Sequence, residues 1–182
     1  MYNKDLKEYI FIENIIPGNI CKLIIGQAEK QQWKRIWYSD NPTEKIPSWA
    51  DNFESTELSQ HIINRVEEYA RPAIQTYCSM FSFSSLQNIG NWHINRYHQD
   101  QYMNTHVDHI YDMFENVGGV PVITIVVNLC DEYTGGEFKF WDTWAPELKQ
   151  GDLMLFPSNF LYPHQVTPVL SGTRHSLVGW AW

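Results

Sequence analysis

The chain is short of the features that mark most special classes of protein. Cysteine is scarce: Cys21, Cys78 and Cys130 stand far apart, with no CxxC pair. That spacing argues against a disulfide framework and a structural zinc site, and fits a reducing compartment. Long apolar runs are missing as well. The longest, around Val122 to Leu129, is far too short to cross a bilayer. The opening MYNKDLKEYIFIENII lacks the uninterrupted apolar core of a signal peptide. Basic residues are few, thirteen Lys and Arg in a chain of net charge -8, and only Lys30 to Arg35 cluster, on what reads as a solvated helix face. Phosphate-backbone binding needs concentrated basic surface, so nucleic acid is a disfavoured partner. These absences lead to the expectation of a soluble, cytoplasmic protein with no membrane partner.

What is present is enough apolar material for a proper core. A length of 182 residues suits one domain, and 43% hydrophobic with 15% aromatic content argues against disorder. Tyr9 to Ile16 reads as a possible edge strand, and Ile20, Leu23, Ile24 and Ala28 recur at helical spacing. The segment Asn41 to Asn52, with Pro42 and Pro47, reads as loop. A second helix is expected from a cap at Ser55, with Leu58, Ile62, Val66 and Tyr69 as its buried stripe and Pro72 as a kink or end. From about Ser82 the period changes to that of strands: Leu86 to Tyr97, Pro121 to Leu129, Glu137 to Trp141, Asp152 to Phe156, Gln165 to Val169 and Thr173 to Trp182. Glycine pairs such as Gly135-Gly136 punctuate them as tight turns. The expected architecture is mainly β with α: a jelly roll over 82–182 carrying the site, supported by a mostly helical 1–81, together forming one domain over 1–182.

The candidate chemistry lies in RYHQDQYMNTHVD, Arg96 to Asp108. In extended chain, His106 and Asp108 project to the same side and set a nitrogen donor beside an oxygen donor. His164, in PHQV, is the most plausible third ligand. Two histidines and one carboxylate on one face, with other positions open, is the arrangement of non-haem Fe(II) sites. Taken alone, the short motif is also compatible with chance in a chain of seven histidines.

Further pieces occur in order: Arg96-Tyr97, His106-Val107-Asp108-His109, Thr124 to Leu129, Gly135-Gly136-Glu137-Phe138, Gly151-Asp152, Phe156-Pro157-Ser158, His164 to Val169 and Gly172 to Leu177. Across 86–182 this resembles the 2-oxoglutarate/Fe(II)-dependent dioxygenases, and among them the prolyl 4-hydroxylase-like group. The resemblance implies a double-stranded β-helix and a reaction that hydroxylates an unactivated C–H bond. Fe(II), 2-oxoglutarate as cosubstrate and O₂ are implied, with ascorbate as reductant. His106, Asp108 and His164 would hold iron. Arg174, ten residues after His164, would grip the far carboxylate of 2-oxoglutarate, assisted by Tyr97. Asn128 stands where some relatives carry a tyrosine that contacts the same carboxylate, and Thr124 or Ser176 is a candidate hydroxyl in its place. The glycine common between the tyrosine and the H-x-D motif is missing here, where His98-Gln99-Asp100-Gln101 stands.

Strand parity places Asn95 and His93 on the face of Tyr97, and Trp180 in phase with Arg174 and Ser176. Asn95, Trp180 and the loop residues Tyr111, Met113 and Phe114 are substrate-side candidates. His98, His109 and His175 are expected not to be ligands. Simpler readings stand beside these: Tyr97 and Trp180 as plain core aromatics, and Arg174 as a surface residue. The resemblance implies peptidyl proline as the leading substrate, with another protein side chain or a small molecule as the alternatives. A non-catalytic jelly roll that senses a metal or ligand is the rival of a different class. The oligomeric state is open.

Overall fold

Period-two alternation dictates a layered protein, because each strand must bury one row of side chains on either face. The computed structural model describes residues 5–36, 52–81, 86, 88–109 and 119–182. A 3-10 turn, Leu6–Tyr9, leads into β1 (Phe11–Asn14), α1 (Gly18–Ala28), β2 (Lys34–Ile36), β3 (Phe53–Glu57) and α2 (Gln60–Met80). The remaining elements are β4 (Ile89–Tyr97), β5 (Met103–His106), β6 (Ile123–Asn128), β7 (Tyr133–Gly135), β8 (Phe138–Phe140), β9 (Asp152–Pro157), β10 (His164–Val166), β11 (Val169–Gly172) and β12 (Arg174–Ala181). An antiparallel sheet of order β1-β9-β6-β12-β4-β3-β2 packs against a smaller sheet, β5-β10-β8, with β11 and β7 as a separate ribbon. This is a double-stranded β-helix, with both helices on the outer face of its larger sheet.

The larger sheet has a core on each side. Ile94, Ile123, Ile125, Val127, Leu153, Leu155 and Leu177 meet Ile24 of α1 and the buried stripe of α2, Ile62, Val66, Ala70, Ala73, Ile74 and Tyr77. On the inner face, Tyr97, Val126, Met154 and Phe156 meet Phe138, Phe140 and Val166 of the smaller sheet. The inner layer is aromatic and carries the polar exceptions: Thr124, Asn128, Arg174 and Ser176 are all buried there. Among the described residues no helix is long and apolar enough to cross a membrane.

The early chain departs from the periodicity reading. Ser55 does not cap a helix; it lies in β3 opposite Asn95 of β4, and α2 begins only after Ser59. Pairing with an existing sheet edge outweighs local helix preference over Phe53 to Glu57. Helix α2 then runs through Pro72 without ending. Lys34 and Arg35 lie in β2, not on a helix, and neighbouring Trp33 stacks under the guanidinium of Arg96 at 4.1 Å. Leu23 is exposed, although its helical phase suggested burial. Gln165 to Val169 divides into β10 and β11 around Pro168, which has no N–H to continue a ladder. Strands therefore reach the larger sheet from residues before 81 as well as after it. Of the expected loop Asn41 to Asn52, only Asn52 lies within the described residues.

Leu177 is fully buried at the centre of the helix-side core. Leu177→Ala should destabilise the protein by about 2–5 kcal/mol, measured as a lower urea midpoint at unchanged m value.

Candidate metal centre and its cavity

β5 ends on His106 and β10 begins on His164, and the two are register partners across the ladder. Cross-strand partners project from the same face, so the imidazoles stand with ring centroids 4.3 Å apart. Each Nδ1 lies against a backbone carbonyl, that of Asn104 at 2.8 Å for His106 and that of Tyr162 at 3.0 Å for His164. A carbonyl only accepts, so each Nδ1 carries the proton and Nε2 of the neutral ring offers its lone pair. Phe138 stacks on His164 at 5.0 Å and fixes the ring plane. Asp108 lies just past the end of β5; its Oδ1 is 3.4 Å from His106 Nε2 and its Oδ2 3.8 Å from His164 Nε2. The three donors lie within 4.8 Å of one another, the one such cluster found among the described residues.

Burial raises the cost of a charge on Asp108. Positive charge on the His164 and His106 rings, together with the Thr124 hydroxyl, outweighs that cost and holds the carboxyl well below the usual range; once the rings are neutral, a bound cation would supply that charge instead. Burial pushes the His164 imidazole down to about 4, against the pull of the Asp108 charge. An ionised carboxylate with a neutral His164 is the protonation state that donates to a cation. Two nitrogen donors and one oxygen donor, with space on the fourth side, fit a divalent first-row metal such as Fe(II).

That space is a cavity of about 930 Å³ between the two sheets, which also takes in Arg174, Tyr97, Ser176, Asn95, His93, Val178 and Trp180. Arg174 opens β12, is 1% exposed and sits opposite Tyr97 of β4. One of its nitrogens donates to Ser176 Oγ at 2.9 Å, its Nε has no partner, and its guanidinium lies 5.3 Å from the centre of the Tyr97 ring. No carboxylate pairs with it among the described residues. A buried cation without an anion is costly, so the cavity is built to receive one. Gly136 makes room for it, since a Cβ there (φ +63°) would come within 3.1 Å of Arg174 Cδ; one on Gly135 would come within 2.4 Å of the Pro168 carbonyl oxygen, so that glycine serves the turn.

The other candidate residues divide. Asn95, His93 and Tyr97 share the cavity face, as strand parity predicts, and Trp180 packs against the His93 ring at 5.1 Å. The Asn95 Oδ1 is buried there without a hydrogen-bond partner among the described residues. Thr124 does not aim at Arg174's end of the cavity; its hydroxyl donates to Asp108 Oδ2 at 2.6 Å. The Asn128 carboxamide is held by the Cys130 carbonyl at 2.9 Å and by the Tyr133 hydroxyl at 3.1 Å, leaving it committed to the protein. Tyr111, Met113 and Phe114 lie outside the described residues. His98 meets Glu54 and Thr173, His175 meets Glu29, and His109 is exposed, so none joins the donor cluster. Periodicity missed Phe53, stacked under Tyr97 at 5.0 Å, and Tyr133, because both depend on strands it did not detect.

Such a centre, at one end of a cavity in a double-stranded β-helix with an unpaired arginine at the other, defines a class of iron- and oxoacid-using oxygenases. The 2OG-Fe(II) oxygenase superfamily model matches residues 92–182. A PKHD-type hydroxylase of Shewanella sp. (strain ANA-3) is 35% identical over 171 residues, covering 91% of this chain and 75% of the relative. One from Idiomarina loihiensis is 26% identical over 176 residues, covering 93% and 75%. The chain belongs to the 2OG-Fe(II) oxygenase superfamily and is an oxygenase of that superfamily. Membership implies Fe(II), 2-oxoglutarate and O₂. Solved structures share the fold. A Pseudomonas putida prolyl-4-hydroxylase has TM-score 0.67 at 18% identity, covering 94% of this chain and 91% of its own. A Trichoplax adhaerens prolyl hydroxylase in complex with a hypoxia inducible factor peptide fragment has TM-score 0.70 at 12% identity, covering 95% and 83%.

Replacing a buried, unpaired cation with an apolar side chain of similar length removes a desolvation cost. Arg174→Met should leave the ligand-free protein as stable as the wild type or up to about 2 kcal/mol more stable, measured by urea unfolding.

Proposed function

We propose that this oxygenase hydroxylates an unactivated C–H bond of a peptide, with prolyl residues as the leading substrate class. 2-Oxoglutarate and O₂ are consumed; one oxygen atom goes to the substrate and the other to succinate, with release of carbon dioxide. In this reading His106, Asp108 and His164 hold Fe(II), whose bound form supplies the redox chemistry that activates dioxygen. Arg174 receives the far carboxylate of 2-oxoglutarate through its planar fork, and Ser176 steadies that fork from below. Tyr97 packs along the guanidinium and lines the same cavity. Asn95 and Trp180 lie on the substrate side, where the cavity continues past the donor cluster. The two sheets exclude water from the inner end, which strengthens each of these polar contacts.

The observation that carries this reading is the buried Arg174, unpaired with any described carboxylate, in the same cavity as three converging donors. A metal sensor needs the donors but has no use for an unpaired cation beside them. Support for a peptidyl substrate comes from the solved neighbours, one a prolyl-4-hydroxylase and another bound to a peptide fragment.

Incubation with Fe(II), ascorbate and 2-oxoglutarate should yield succinate, and His106→Ala should abolish it. Arg174→Ala should weaken 2-oxoglutarate at least about 100-fold, in line with the loss of a buried charge-assisted pair, while metal affinity stays within about threefold. Equal collapse of both affinities would refute the division of roles. Proteomic comparison of cells with and without the enzyme should reveal peptides that gain one oxygen on proline; a gain confined to other residues would redirect the substrate assignment.

A further inference from the structure

His106 and His164 are held by strands, but Asp108 is not. It stands two residues beyond the last residue of β5, in chain that makes no ladder contact. A carboxylate in such a position is free to turn about two side-chain bonds and to offer a metal one oxygen or both. The choice matters chemically, because a second oxygen would take a position that a bidentate cosubstrate and O₂ require.

The larger sheet supplies what the loop lacks. Thr124 is the second residue of β6, with its backbone paired to Trp180 of β12 on one side and to Phe156 of β9 on the other. The residue is 1% exposed, and its hydroxyl donates to Asp108 Oδ2 at 2.6 Å. The hydroxyl of Ser158, a residue also 1% exposed, lies 2.9 Å from Thr124 Oγ1. A threonine has one hydroxyl proton, and the ionised Asp108 can only accept it; Ser158 must therefore be the donor to Thr124. Ser158 is itself tied down by its backbone N–H, which donates to the Val122 carbonyl at 3.0 Å. Two hydroxyls thus run in one direction from the larger sheet to a single oxygen of the carboxylate, each bond polarising the next.

We propose that Thr124, oriented by Ser158, is a positioning residue that engages Asp108 Oδ2 and leaves Oδ1 as the sole metal-ligating oxygen, keeping the remaining coordination positions open. The proposal rests on the metal-site reading of His106, Asp108 and His164. It also gives the serine of Phe156-Pro157-Ser158 a task that no assigned role covers.

The test uses Co(II) as a probe, titrated into the apoprotein by calorimetry and by its d–d absorption. Thr124→Val, matched in shape and lacking the hydroxyl, should lose about 10–100-fold in Co(II) affinity, as expected when a ligand's hydrogen-bond partner is removed. Its Co(II) spectrum should change, because the freed carboxylate turns its second oxygen to the metal. Thr124→Ser restores the hydroxyl and should recover affinity to within about threefold of wild type. Ser158→Ala, which leaves every ligand and Thr124 in place, should show an intermediate loss and so tests the relay even if Thr124→Val folds poorly. Wild-type affinity and spectrum in both Thr124→Val and Ser158→Ala would overturn the proposal and leave the metal site standing. A loss in Thr124→Ser as deep as in Thr124→Val would also overturn it, by tracing the effect to packing. A wild-type protein that binds no Co(II) would instead overturn the metal-site reading, and the proposal with it.

Discussion

The pairing of β5 with β10 is the constraint on which the site depends. His106 and His164 are 58 positions apart in the chain, yet register makes them neighbours, and side chains in a ladder alternate faces. A slip of one residue in either strand would send one imidazole to the opposite face of the small sheet. The ladder is short, so its register is secured by what flanks it. β10 is also paired with β8, whose Phe138 stacks on His164 and whose Phe140 packs beneath. Aromatic packing between the sheets thus serves the donors directly, by fixing ring planes.

A second ladder, β4 with β12, positions the opposite end of the cavity by the same means. It sets Tyr97 against Arg174, Asn95 against Ser176 and His93 against Val178, so one row of alternate residues on each strand lines the cavity. The other row of the same strands, including Ile94 and Leu177, is buried against the helices. One sheet therefore does two jobs: its outer row supplies the apolar burial that stabilises the domain, and its inner row tolerates polar groups that burial alone would reject. The unpaired Arg174 is affordable because the outer core is large and apolar.

Much of this was legible where function and local pattern coincide. His106 and Asp108 are close in sequence, and Arg174, Ser176 and Trp180 announce their common face by their spacing on one strand. The family resemblance placed His164 with them. Other features had no local signature. Ser55 looked like a helix cap until a sheet edge was there to pair with it. Thr124 and Asn128 carry hydroxyl and amide groups of the right chemistry to meet a cosubstrate, but whether they do depends on which polar neighbour lies closer. Thr124 found Asp108, and Asn128 found Tyr133 and the Cys130 carbonyl.

By itself the sequence determined the class of fold and pointed to a candidate donor set and the cation proposed to complement it. Those follow from residue chemistry, from the period-two pattern and from motif order, all of which are local or serial properties of the chain. Only the tertiary structure decided the orientation of the donors, the tautomer of each histidine, the lack of an acidic partner for Arg174 among the described residues and the anchoring of Asp108 by the opposite sheet. Each of these depends on distances between atoms from remote segments, set by ladder register and by packing between the sheets. A one-dimensional pattern carries no such distances.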